Sequence, residues 1–182
     1  MWFYIIIAII VLILIYFGVT YNSFVKLNNM VTEAFSTMDV YLKKRWDLIP
    51  NIVESVKGYA KHENTALKEI IKLRNSTYDN MSTIEKFEVN NKISQGINKL
   101  MVIAEAYPDL KANENFRDLN KQLSKVEDDI ANSRKYYNGT VRIFNDKVQM
   151  FPSNIVAKIL GFKKQKMFEA SECERKNVQV KL

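Results

Sequence analysis

The stretch MWFYIIIAIIVLILIYFGVTYNSFVKLNNMVTEAFSTMDVYLKKR, residues 1–45, changes character at Lys26, and that change decides the fold. No charged side chain occurs from Met1 to Val25, and Trp2 to Val19 is almost wholly Ile, Val, Leu, Ala and aromatics. A helix over those residues rises roughly 27 Å, close to the hydrocarbon thickness of a bilayer. Hydrophobicity on every face over that length suits lipid rather than the core of a soluble domain. Trp2 and Tyr4 at one border, and Tyr16, Phe17 and Tyr21 at the other, stand where interfacial aromatics belong. A cleaved signal needs a basic n-region and a small-x-small end. No Lys or Arg precedes the run, and Gly18-Val19-Thr20-Tyr21 lacks that end. Residues 1–25 read as an uncleaved anchor whose partner is the lipid bilayer.

Beyond the anchor no Gly or Pro falls between Val19 and Asp47, so the helix is expected to run on into water. Phe24, Leu27, Val31, Ala34, Met38 and Tyr41, joined by Phe35 and Leu42, recur every three or four residues as the core-facing stripe of a bundle helix. Pro50 is expected to end it, with Asp47 capping a second helix. The face of that helix is Ile52, Val53, Val56, Tyr59, Ala60, Ala66, Leu67, Ile70, Ile71 and Leu73, and it fades into a polar turn at Asn75–Asn80. Ser82-Thr83-Ile84-Glu85 is a capping box that opens a third helix, carried by Val89, Ile93, Ile97, Leu100, Ala104 and Tyr107 and ended by Pro108.

A fourth helix is predicted from about Asn113 to Phe151. Phe116, Leu123, Ile130, Tyr137, Phe144 and Phe151 form a column at intervals of seven, and a companion column drifts from Leu119 and Val126 to Val141 and Val148. The drift fits a nearly straight bundle helix rather than a two-stranded coiled coil. Gly139 weakens it locally. A short fifth helix, Ser153 to Leu160, stops at Gly161. The predicted fold is therefore all-α: an N-terminal transmembrane helix (1–25) continuing into an antiparallel bundle of about four long helices plus a short C-terminal one (26–162), then a charged tail (163–182).

Lys26 and the cluster Lys43, Lys44 and Arg45 flank the anchor on one side only. The positive-inside rule then predicts a single-pass protein of the cell membrane, N-terminus outside and bundle in the cytoplasm. The lone Cys173 agrees with a reducing compartment. The formal net charge is +7, with 27 basic and 20 acidic residues interspersed, which reads as a solvated surface with no nucleic-acid partner. Lys158, Lys163, Lys164 and Lys166 form the densest basic stretch, a place where lipid head groups are an alternative partner.

Catalytic patterns are thin. With a single histidine no two-histidine zinc motif can form; His62-Glu63-Asn64-Thr65-Ala66 begins like a metalloprotease helix but has Ala66 where the second ligand must stand. His62 is most simply a boundary residue, and Cys173 lies in a run of charges unsuited to a His62 nucleophile pair. No cofactor is implied. Four charges instead sit in or beside apolar stripes: Arg45, Glu63, Glu127 and Arg134. Such charges lie at an edge, snorkel, or are buried and paired; a structural network that fixes helix register is the first reading and a ligand-binding site the second.

Tyr21-Asn22, Asp39-Val40, Leu42-Lys43-Lys44-Arg45, Asp47-Leu48-Ile49-Pro50-Asn51, Val53-Glu54, Val56-Lys57-Gly58-Tyr59-Ala60 and His62-Glu63 resemble the first half of the LemA family. The run Glu105-Ala106-Tyr107-Pro108-Asp109-Leu110-Lys111-Ala112-Asn113-Glu114-Asn115-Phe116, with Tyr137-Asn138, Phe151-Pro152-Ser153-Asn154 and Gly161-Phe162, resembles the second. The sequence departs at Phe35, where the family usually has Trp, at Trp46, where Tyr is common, and around Cys173. The resemblance implies a bacterial single-pass membrane protein with an antiparallel helical bundle and no established enzymatic activity or cofactor. It also implies magnetosome-membrane relatives and a gene neighbourhood that includes a membrane zinc protease.

Three functions are open on sequence: a non-enzymatic membrane-tethered module for a membrane or cytoplasmic protein partner, a hydrolase using Glu63 or Glu54, and a lipid-binding or membrane-shaping protein using its basic C-terminal region. The corner from Pro108 to Phe116 reads first as a well-capped connector and, within the first function, as a candidate recognition surface. Asp109 or Asn113 is its cap, and Lys111, Asn113 and Asn115 leave more polar groups than a cap requires. A turn at Asp47–Asn51 is the second candidate.

Overall fold

Helix α1, Trp2–Tyr59, runs without a break from the apolar segment through Pro50. The computed structural model describes residues 1–59, 70–71 and 78–169, and among these it is helical with no strand. A 3-10 turn, Tyr78–Asn80, precedes α2 (Thr83–Glu105), α3 (Pro108–Ala112), α4 (Glu114–Gln149) and α5 (Ser153–Leu160). The all-α expectation holds.

The break expected at Pro50 does not occur. Proline inside a helix loses one backbone hydrogen bond and crowds the carbonyl four residues back, at about 3 kcal/mol. However, Ile49, Ile52, Val53 and Val56 are all buried and continue the stripe of Leu42, Arg45 and Trp46 past it. Each such aliphatic burial contributes about 1.5–3 kcal/mol, so together they outweigh the proline. Asp47 therefore caps nothing. It is an exposed mid-helix residue, its carboxylate 3.3 Å from the Lys43 ammonium one turn back. Asn51 is likewise exposed on the helix, and its carbonyl accepts from the Ser55 hydroxyl at 2.8 Å.

The apolar start of α1 is long and apolar enough to cross a membrane, and only 6% of that window is covered by protein. A core helix of the same composition would be mostly buried.

Two compact units are distinguished. The first comprises Met1–Thr37 and Ser133–Met167. Here Phe24 stacks on Phe162 at 4.8 Å and meets Phe144 edge-on at 6.2 Å, while Phe35 meets Tyr137 at 6.1 Å. Rising numbers on α1 face falling numbers on α4, so the two run antiparallel. At the end of α4, the Ser153 hydroxyl donates to the carbonyls of Lys147 (2.6 Å) and Met150 (2.9 Å), which turns the chain into α5. Gly161, at φ 76°, ends α5 in the left-handed conformation that a Cβ disfavours. The residues that follow have no regular secondary structure but are tied to α4. Asn145 exchanges two hydrogen bonds with the Gln165 backbone (2.9 and 2.8 Å), and the Tyr137 hydroxyl donates to the Lys166 carbonyl at 2.9 Å.

The second unit comprises Met38–Asn132 and the described residues 168–169. The Ser82–Glu85 capping box opens α2 as expected. Pro108 does not merely end a helix: it occupies the first turn of α3, with Leu110 fully buried beneath. Phe87 packs on Phe168 at 4.4 Å. Along α4 the column Phe116, Leu123, Ile130, Tyr137 and Phe144 is buried, but Phe151 is 79% exposed, because α4 ends at Gln149 and the turn aims it outward. The face expected over Ala60, Ala66, Leu67 and Leu73 lies outside the described residues, as do His62, Glu63 and Cys173.

Candidate functional site

The Arg45 side chain in the second unit is fully buried, and two other helices supply its acceptors. From α4, Glu127 offers both carboxylate oxygens to Nη1, at 2.7 and 2.9 Å. From α2, the Ser94 hydroxyl accepts from Nη1 at 2.9 Å, and the Asn90 carbonyl from Nη2 at 2.9 Å, alongside the Asn90 side-chain oxygen. Arg45 extends the Phe24–Val31–Met38 column by one heptad, which places its head on the core face. A rigid guanidinium fork suits several acceptors at fixed angles. A guanidinium does not release its proton near neutrality, so Arg45 stands as a fixed cation that ties α1 to α2 and α4.

Six residues earlier on α1, Asp39 accepts from the Tyr78 hydroxyl at 2.7 Å and from the Lys86 ammonium at 2.6 Å. Lys86 also lies over the Tyr78 ring, 4.7 Å from its centroid, and Trp46 packs on the same ring at 5.3 Å. Burial, then the hydrogen bond to Asp39, pushes the Tyr78 phenol well above its ordinary pKa. Asp39 pairs with Lys86 as Arg45 does with Asn90 and Ser94, rising with rising, so α1 and α2 run parallel. The pairs Arg45–Glu127 and Tyr59–Asn113 set α1 antiparallel to α4.

Of the four charges expected to form one network, the structure joins Arg45 and Glu127. Arg134 is half-buried within the first unit, and Glu63 lies outside the described residues. Glu54 is exposed on α1. Sequence reasoning passed over Asp39, Tyr78, Lys86, Asn90 and Ser94. The signal was present for two of them: stepping back from Leu100, Ile97 and Ile93 at intervals of three and four lands on Asn90 and Lys86, both buried. Among the described residues no group of three or more His, Cys, Asp or Glu is placed to hold a metal ion.

At the corner between α2 and α4, the cap is Asn113 rather than Asp109. Its side-chain oxygen accepts from the Phe116 amide at 3.0 Å, and its amide donates to the Tyr59 hydroxyl at 3.1 Å. Lys111 and Asn115 are exposed, and neither side chain has a partner among the described residues.

A model of the LemA family matches residues 34–182, which leaves the apolar segment outside the match. Protein LemA of Metamycoplasma hominis is 30% identical over 161 residues, covering 86% of this chain and 72% of that protein. Magnetosome protein MamQ 2 of Paramagnetospirillum magneticum is 22% identical over 175 residues, and covers 82% of this chain and 64% of the relative. Magnetosome protein MamQ of Magnetospirillum gryphiswaldense is 23% identical over 174 residues, with 81% and 64% covered. The chain thus spans just under two thirds of the length of these magnetosome relatives.

Proposed function

Because this chain belongs to the LemA family, we propose that it is a non-enzymatic interaction module held at the inner face of the cell membrane by α1, with its N-terminus outside. The basic flank of the anchor, Lys26 and then Lys43, Lys44 and Arg45, supports that orientation. That two relatives are magnetosome proteins supports a role in membrane organisation over one in quality control.

One observation carries the recognition surface. Asn113 supplies the cap and the contact to Tyr59, so the exposed Lys111 and Asn115 have no structural task among the described residues. Polar groups without internal work on a well-fixed corner are where a protein partner docks. The test is a photocrosslinking amino acid at position 111 in native membranes, with exposed Lys92 on α2 as the control position. A discrete adduct from 111, absent from 92 and lost on Asn115→Ala with the melting temperature unchanged, is the expected result. Equal adducts from both positions, or an adduct insensitive to Asn115→Ala, would return the corner to architecture.

A further inference from the structure

The corner between α4 and α5 exposes apolar side chains at the level of the anchor's border. Antiparallel pairing fixes that level: Phe144 faces Phe24, and the Lys147 ammonium reaches the Ser23 hydroxyl. Helix α4 ends two residues further on, about 3 Å along the axis, and Met150 and Phe151 line one groove with Ser23 and Leu27 of α1. Thr20 is 5% exposed, so the first unit reaches the last turn of the anchor.

At that level Met150 is 63% exposed, Phe151 79%, Ile155 52% and Ile159 66%. Ile155 and Ile159 lie four apart on one face of α5, while Val156 and Ala157 fill the opposite, buried face. The exposed face is flanked by Lys158, followed by exposed Lys163 and Lys164, and α5 contains no acidic residue. Asp146 lines the groove of about 540 Å³ that Met150 and Phe151 border. A contiguous apolar patch rimmed by lysines is an interaction site rather than ordinary surface.

We propose that this corner is a lipid-inserting wedge: Phe151, Met150, Ile155 and Ile159 enter the boundary between head groups and acyl chains beside the anchor, with Lys158, Lys163 and Lys164 on anionic head groups. The inference rests on the membrane-tethered reading above. Lipid is the occupant because the patch is continuous with the segment that already faces lipid, and because its rim is cationic where the cytoplasmic leaflet is anionic. An eight-residue helix binds a membrane weakly alone, but α1 holds it at the surface and removes the cost of association. Insertion of about 5–10 Å follows from ordinary interfacial helices.

The test places nitroxide labels on the full chain, in a Cys173→Ser background, at Phe151→Cys and Ile159→Cys. Lys135→Cys serves as an aqueous reference and Ile9→Cys as an anchor reference. In phosphatidylcholine vesicles containing phosphatidylglycerol, collision with oxygen relative to a water-soluble nickel chelate should be several-fold higher at 151 and 159 than at 135. It should fall when phosphatidylglycerol is omitted. Values at 151 and 159 equal to that at 135, with position 9 in lipid, would overturn the wedge alone. An aqueous position 9 would overturn the tether beneath it. Labels wet in purified vesicles but shielded from both reagents in native membranes would assign the patch to a protein and likewise overturn the proposal.

Discussion

Arg45 shows how a single residue type sets local architecture. Its column position was legible in the sequence as a heptad step from Met38, but its acceptors were not. Asn90 falls on the apolar spacing of α2, as Lys86 does, but a polar side chain there does not name its partner, and Ser94 lies off that spacing. Truncating Glu127 to Ala leaves a fully buried guanidinium short of its charge partner, and should cost about 3 kcal/mol in urea denaturation of the detergent-solubilised chain. The paired replacement Arg45→Met with Glu127→Leu should restore most of that stability, since no orphan charge remains. A double variant as unstable as Glu127→Ala would show that the ion pair itself stabilises the fold.

Glu85 gives a second residue-scale expectation. Hydrogen bonds from the Ser82 hydroxyl and amide hold its carboxyl below the ordinary range. The unfolded chain therefore binds the proton more readily than the folded one, so stability rises with pH across that interval. The contribution is present above the unfolded Glu value of about 4.3 and is lost as pH falls from there through the lower folded value. Glu85→Gln should flatten this part of the melting-temperature profile between neutral and acid pH. An unchanged profile would mean the capping box carries none of the acid sensitivity.

At the scale of elements, two glycines separate close packing from mere permissiveness. A Cβ on Gly96 of α2 would stand 2.7 Å from Cγ1 of Ile70, which is not the free end of a side chain. Gly139 of α4 has nothing within 4 Å of the same position. Gly139→Ala should therefore raise stability by about 0.5–1 kcal/mol through helix propensity. Gly96→Ala should lower it by about 1 kcal/mol, overpacking outweighing the same gain. Phe144, almost fully buried against Phe24 and Phe162, should cost about 3–5 kcal/mol as Phe144→Ala. A loss under 1 kcal/mol would remove it from the core.

Elements with local signals were read correctly: the capping box before α2, and the Ser153–Leu160 helix stopped by Gly161. Pro50 was misread because its local cost is visible in sequence, whereas the burial of Ile49, Ile52 and Val53 that offsets it is set by tertiary packing. Phe151 was misread for the converse reason. A heptad column continues on paper past the point where Ser153 turns the chain.

At the scale of the whole molecule, the chain is a membrane protein of the LemA family whose apolar segment lies outside the family match. The candidate membrane-spanning segment and the helical remainder were legible from charge and periodicity alone. The Pro108–Phe116 corner, proposed above as a recognition surface, is marked in the sequence only by an excess of polar residues, because a partner leaves no local periodicity. Helix α1 has no interruption between Trp2 and Tyr59. Under the proposed function, cleavage within residues 1–25 would release the chain from the membrane. The direct measurement is protease protection of the C-terminally tagged full chain in intact spheroplasts, after confirming that alkaline carbonate leaves it in the membrane pellet. Full-length protein that resists protease until the membrane is permeabilised is the expected result. Digestion of the tagged portion in intact spheroplasts, or release of a shortened chain by carbonate, would contradict an uncleaved anchor with a cytoplasmic bundle.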